Sequence, residues 1–347
     1  MRVFTTLFFC LLLTSCSHEE PIYNSQSYVF GTLVDITIYG EPEQDAQQAA
    51  GEITQLFQNL HNRLHAWRPS ELKALNHTFS LGKVATKIQP DIAAMIANAT
   101  ELSIRSNGAF NPAIGKLISM WGFQHDEFKP VKINANKISD LVNANPQMTD
   151  LVVENNKIYS KNPAVRLDLG GYAKGYALDM ALEYLKKHAI KNALINIGGN
   201  IIALGKHGDK SWRVGIQHPR QPNAIATLDL PSGWAIGTSG DYQRYFELKG
   251  KRYCHIINPA TGYPVTGIQS VTVLIPPQNQ AGVVSDVASK PIFIAQPAAR
   301  AAAAKAMHVD YFLIIESDKS IQLSASMAKK MTWLDANAAK QAVIIQP

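Results

Sequence analysis

Cysteine is scarce: three in 347 residues, at positions 10, 16 and 254. Cys10 falls in an N-terminal leader and Cys16, directly after it, is an expected lipidation site, so Cys254 is left without an intramolecular partner and the fold must rest on its core rather than on disulfides. No Cys/His set has zinc-ligand spacing, no G-x-S-x-G elbow occurs, and neither a Walker A loop nor a spaced dinucleotide fingerprint is present. These absences remove a zinc module, an α/β-hydrolase nucleophile and the common phosphate loops. The formal charge is +6, yet like charges never gather into a block. That argues against a nucleic-acid tail and is compatible with a small anionic ligand. Internal repeats and low-complexity linkers are also missing.

What is there begins with a leader. Residues 1–15 carry Arg2, an apolar run from Leu7 to Leu13 and then small residues up to Cys16. The apolar core is too short to span a bilayer as a mature helix and reads as a secretory signal. Leu13-Thr14-Ser15-Cys16 resembles the lipobox of bacterial lipoproteins, which makes Cys16 the expected lipidation site, with residues 16–27 as a polar tether and 28–347 as the folded domain. A plain cleaved signal is the alternative.

Along the rest of the chain, alternation predicts a half-buried strand over Tyr28–Tyr39, and 3.6-residue periodicity predicts helices over Glu43–Leu64 and Pro90–Ser106. Trp67–Asn76 reads as a loop and a short helical turn that Ser70 can cap. Residues 108–123 read as a buried loop with a short helix, and Asn155-Asn156 as a hairpin turn between short strands. Val165–Leu169 is expected as a strand running through Gly170-Gly171 into a helix over Tyr172–Lys187. Further strands are expected at 193–197, 201–204, 212–217, 224–230, 234–238, 245–248, 252–257 and 269–275, then helices over 280–289 and 297–307 and a last hairpin at 311–323. Consecutive strands separated by helices, without strict alternation, predict an α+β fold with largely antiparallel sheets flanked by helices.

Two stretches carry candidate chemistry. Between Asp168 and Gly175 a glycine pair and Lys174 stand at a helix start, where backbone N–H groups suit a phosphate, although a glycine pair equally serves only a turn. From Thr238 to Pro264 the polar residues Thr238, Ser239, Asp241, Arg244, Arg252, His255, Asn258 and Thr261 crowd between turn-forming residues. His255 is suited to a base or shuttle and also to a structural strand histidine. Asp286 and Lys290, at i and i+4, imply by themselves only a modest ion pair.

Taken in order, Gly31-Thr32, Ser70-Glu71-Leu72 with Asn76, Gly108–Pro112 with Trp121-Gly122-Phe123, Asp168–Gly175, Asn196–Gly199, Thr238–Tyr242 and His255–Gly262 resemble the FAD:protein FMN transferase (ApbE) family from about Tyr28 to Ile315. The resemblance implies a T-fold-like α+β architecture. It implies an enzyme that splits the diphosphate of FAD, moves FMN onto a Ser or Thr of a target protein and releases AMP. It also implies Mg²⁺ at the diphosphate, an acceptor in a membrane redox complex, and a lipid-anchored protein on the periplasmic face of a bacterial membrane, the inner one favoured.

Carried over by position, His255 is the expected catalytic base. Trp67, Asp168, Gly171, Lys174, Thr238, Ser239, Gly240, Asp241 and Thr261 are the expected FAD contacts, with Trp67 placed to stack on the flavin. Ala173, through its carbonyl, and Asp286 are the expected metal ligands. The chain departs from the pattern at Phe30 (usually Met), at Asn111 and Asn258 (commonly Asp), and at Lys290, which stands where the family has a Thr ligand. Lys290 leaves two readings: a metal held by Asp286, Ala173 and phosphate oxygens, or a lysine that supplies the positive charge itself. An FAD pyrophosphatase and a non-enzymatic flavin-binding lipoprotein are the alternatives to transfer.

Overall fold

A nine-stranded sheet organises the molecule, in the order Ile22–Val29, Thr32–Tyr39, Ala193–Ile197, Asn200–Leu204, Ala235–Gly240, Ile268–Ile275, Tyr311–Glu316, Ile321–Ser324 and Ala342–Ile345. The structure is a computed structural model and describes residues 20–125 and 127–346. The leader, Cys10 and Cys16 lie outside the described residues. Every adjacent strand pair in this sheet is antiparallel except the last, where Ile321–Ser324 runs parallel to Ala342–Ile345. This is the α+β class that the strand grouping predicts.

The two faces of the sheet bury different layers. Val34, Ile36, Ile38, Ile195, Ile197, Val271 and Val273 point, by the two-residue period of a strand, to the face covered by helices Glu43–Leu64, Ala173–Lys187 and Ala281–Ile294. Ile201, Ala203, Ile236, Leu274, Leu313 and Ile315 point to the other face, which a three-stranded sheet of Trp212–Gln217, Ala224–Leu230 and Met331–Trp333 covers. A third apolar cluster of Leu117, Trp121, Phe123, Ile138, Phe246 and Ile257 supports the hairpin Tyr245–Leu248/Lys251–Cys254. That hairpin leads directly into His255.

Four expectations are corrected. Tyr28–Tyr39 is not one strand but the closing half of a hairpin, because Phe30 and Gly31 both take positive φ (56° and 71°) and turn the chain. Its first strand begins at Ile22, so the stretch read as a tether joins the sheet from that residue on. Val165–Leu169 is extended but makes only an isolated bridge, Ile114 with Arg166. Its backbone groups bond instead to the Asn76 side chain, with Leu167 N–H donating to Oδ1 at 2.6 Å and Nδ2 donating to the Leu167 carbonyl at 2.8 Å. The strand expected over 252–257 stops at Cys254, leaving His255 in the loop beyond it.

Candidate active site

Helix Ala173–Lys187 starts immediately after the Asp168–Tyr172 turn, and Asp168 shapes that turn by accepting the Gly170 N–H at 2.8 Å through Oδ1. The helix crosses Ala281–Ile294 at unusually close range. A Cβ on Gly175 would run into the Gly282 carbonyl, and the reverse contact is 2.5 Å, so only glycine fits on either side. Asp179 accepts the Gly282 and Val283 N–H groups, both at 2.8 Å, and ties the two helices together.

This crossing puts Asp286 against the start of the first helix. Its Oδ2 accepts the Gly175 N–H at 3.0 Å, and its Oδ1 accepts a hydrogen bond from Lys290 Nζ at 2.7 Å. The same ammonium donates to the Asp286 carbonyl at 2.6 Å. Asp286 is 2% exposed, and burial by itself favours the neutral acid, but Lys290 and Lys174 together hold its carboxyl below the usual range.

His255 completes the group. Its Nδ1 faces the Arg244 carbonyl at 3.3 Å, and since a carbonyl only accepts, this contact sets the proton on Nδ1 and leaves Nε2 with a free lone pair. Burial lowers the imidazole pKa, and the positive charges of Arg244, Lys174 and Lys290 lower it further, to about 3, so the ring is neutral at pH 7. Lys174 is lowered by its own burial and by Lys290 and Arg244, against the pull of Asp286. The site thus gathers three cations around a neutral histidine, and one of them, Lys290, is paired with Asp286. Such a surplus of positive charge favours an anion.

The remaining expected site residues divide. Ser239 Oγ lies 2.7 Å from Ser289 Oγ and links the sheet to helix Ala281–Ile294, and Thr238 Oγ1 lies 3.0 Å from Thr272 Oγ1 across paired strands within the sheet. Gly240 leaves room for the Tyr242 ring. Asp241 is 7% exposed and gripped bidentately by Arg220, both contacts 2.7 Å. Sequence reasoning did not single out Arg220, which sits in a turn with no motif to mark it. Thr261 is exposed and accepts the Tyr263 N–H at 3.3 Å, closing the turn after His255. The Arg166 guanidinium lies 4.2 Å over the Trp67 ring and covers one of its faces. A cleft of about 450 Å³ lies further off, lined in part by Asn111, Pro259 and Ala260; it touches the turn after His255 but not Lys174, Asp286 or Lys290.

One of the departures from the family pattern, Asn111, is accounted for locally, whereas the contact that Asn258 makes would serve an aspartate equally. Asn111 donates Nδ2 to the Pro146 carbonyl at 2.8 Å, a bond that an aspartate cannot make, and accepts the Ala113 N–H at 3.0 Å. Asn258 accepts the Ala260 N–H at 2.9 Å and so shapes its turn. Cys254, next to His255, is buried, and its thiol is pushed up to about 12, chiefly by that burial. It is inert as a nucleophile.

Comparison with known proteins bears on the family and the fold. A profile of the ApbE family matches residues 30–313. The chain belongs to the ApbE family. Among curated relatives, the FAD:protein FMN transferase of Treponema pallidum is 30% identical over 94% of both chains. That of Vibrio cholerae is 28% identical over 92% of this chain and 95% of its own. That of Rhodobacter capsulatus is 36% identical over 90% of this chain, which spans 58% of that longer relative. The crystal structure of the ApbE protein of Thermotoga maritima superposes with a TM-score of 0.79 at 26% identity, covering 89% of this chain and 99% of its own. The ApbE fold is therefore shared over nearly the whole described chain.

The residues at Asp286 do not fit the divalent metal that the family resemblance implies. Both carboxylate oxygens are engaged, one of them by the Lys290 ammonium, and a second cation, Lys174, also bears on the carboxylate. Among the described residues, no three His, Cys, Asp or Glu side chains come together as a metal site. A hard cation asks for several oxygen donors and tolerates no ammonium among them.

Proposed function

We propose that the chain acts as an FAD:protein FMN transferase, splitting the diphosphate of FAD, attaching FMN through a phosphoester to a Ser or Thr of a second protein and releasing AMP. The observation that carries this reading is that Lys290 is held through Asp286 against the helix start at Gly175, and that its charge, with those of Lys174 and Arg244, bears on His255, whose Nε2 keeps its lone pair. The curated relatives with that activity support it.

In the reaction, the acceptor hydroxyl oxygen bonds to the FMN-side phosphorus while the bond from that phosphorus to the bridging oxygen breaks. The hydroxyl proton passes to Nε2 of His255, and AMP leaves with the bonding pair. Phosphoryl transfer asks the protein mainly to hold reactants in line and to neutralise charge on the phosphate oxygens, which is what the cations offer. An anionic diphosphate also offsets the charges that depress His255 and brings it nearer to the range in which a base works well.

The Leu13–Cys16 motif extends the proposal to location: lipidation of Cys16 anchors the protein on the periplasmic face of a bacterial membrane, the inner one favoured. The acceptor is then a subunit of a membrane redox complex.

The test incubates the full chain with FAD and a redox subunit bearing an acceptor Thr. In-gel flavin fluorescence of the acceptor is the expected result. Free FMN and AMP without labelled acceptor would replace the proposal with a pyrophosphatase, and FAD bound but intact would replace it with a binding protein.

A further inference from the structure

The Lys290 side chain is built into the site rather than laid on its surface. It is 17% exposed, and its Cε occupies the space that a Cβ on Gly171 would need, at 2.7 Å. The Asp168–Tyr172 turn therefore accommodates this lysine because position 171 has no side chain. The ammonium carries three N–H donors. One donates to Asp286 Oδ1 and one to the Asp286 carbonyl, which leaves one for a ligand. The charges of Lys174, Arg244 and Lys290 all bear on His255. A divalent ion placed here would be repelled by all of them and would have to displace Lys290 to reach Asp286.

We propose that Lys290 is a resident cation that takes the place of a divalent metal at the FAD diphosphate, so that FAD binds without any metal. Asp286 then works as a positioning residue: it holds the ammonium over Gly171 and is itself held by the Gly175 N–H. The third Lys290 N–H donates to a diphosphate oxygen. This rests on the reading of the site as one for FAD.

The full chain is titrated with FAD in excess EDTA and again in excess Mg²⁺, with flavin fluorescence as the readout, and Mn²⁺ binding is followed by electron paramagnetic resonance. The expected affinities in the two buffers agree within about twofold, and the protein takes up no Mn²⁺, either alone or with ADP when measured against the same ADP without protein. Lys290→Met should weaken FAD about ten- to hundredfold while riboflavin, which has no phosphate, binds as before. Lys290→Thr should lose affinity in EDTA and recover part of it in Mg²⁺. FAD binding by the wild type that requires Mg²⁺, or a stoichiometric Mn²⁺ site in the wild type, overturns the inference, and neither measurement depends on how the variants fold. Failure of FAD to bind in either buffer overturns the underlying reading of the site instead. Metal-free binding without transfer to an acceptor leaves Lys290 in its role and removes only the transferase activity.

Discussion

Gly171 and Lys290 are complementary across the site: the lysine Cε lies 2.7 Å from where a Cβ on the glycine would stand. No positive φ is needed at Gly171, so space and not backbone strain makes glycine the fitting residue there. Gly171→Ala should push the Lys290 tip off Asp286. Because a flexible side-chain end gives way, the stability loss should fall at the low end of the about 1–3 kcal/mol typical of overpacking. FAD affinity should fall much more than melting temperature. Paired thermal melts and FAD titrations check this; unchanged affinity would mean that the Lys290 position does not matter.

His255 makes stability pH-dependent in a direction that can be worked out. Its folded-state pKa is depressed to about 3, while an unfolded histidine titrates near 6.5. Between those values the unfolded chain binds a proton that the folded chain refuses, so stability falls as pH drops from about 6.5 toward 3. Urea unfolding at pH 7 and at pH 5 should give a lower midpoint at pH 5, and His255→Gln should shrink that difference. An equal difference in the variant would assign the acid sensitivity to other groups.

Much of this arrangement was legible in the chain, and the rest was not for physical reasons. The helices over 43–64 and 173–187 follow from their apolar periodicity, and Ser70 caps its helix as expected, accepting the Lys73 N–H at 2.9 Å. The turn at Phe30 is not legible because a bulky residue with positive φ leaves the strand alternation intact. Val165–Leu169 has strand-like residues, but its partners are the Asn76 amide and the loop carbonyls of Pro112 and Ala113, which no period reveals. Motif order pointed to Lys174, His255 and Asp286. Only the fold shows that Asp286 is engaged on both oxygens and that Arg220, from outside every motif, holds Asp241.

Arg220 is accordingly a structural anchor of the 238–241 segment. Arg220→Ala should leave the Asp241 carboxylate buried with only Arg252, at 4.0 Å, nearby. A loss of about 1–3 kcal/mol is expected, read as a lower urea midpoint at unchanged slope. Full stability in the variant would mean that solvent replaces the guanidinium at no cost.

Cys254 should resist alkylation in the native protein. Its thiol is buried and pushed up to about 12, so the thiolate is scarce at pH 8. Iodoacetamide treatment followed by peptide mass analysis should find Cys254 modified only after denaturation. Rapid native labelling would contradict the burial described for the hairpin end.

The central claim is that this chain moves FMN onto a protein hydroxyl with His255 as the base. Intact mass of an acceptor subunit after incubation with FAD tests it most directly. The wild type should add one FMN less one water. His255→Ala should slow that addition by about 10²–10⁴-fold while still binding FAD. An acceptor of unchanged mass while FMN and AMP accumulate, or equal labelling by the variant, would contradict the account.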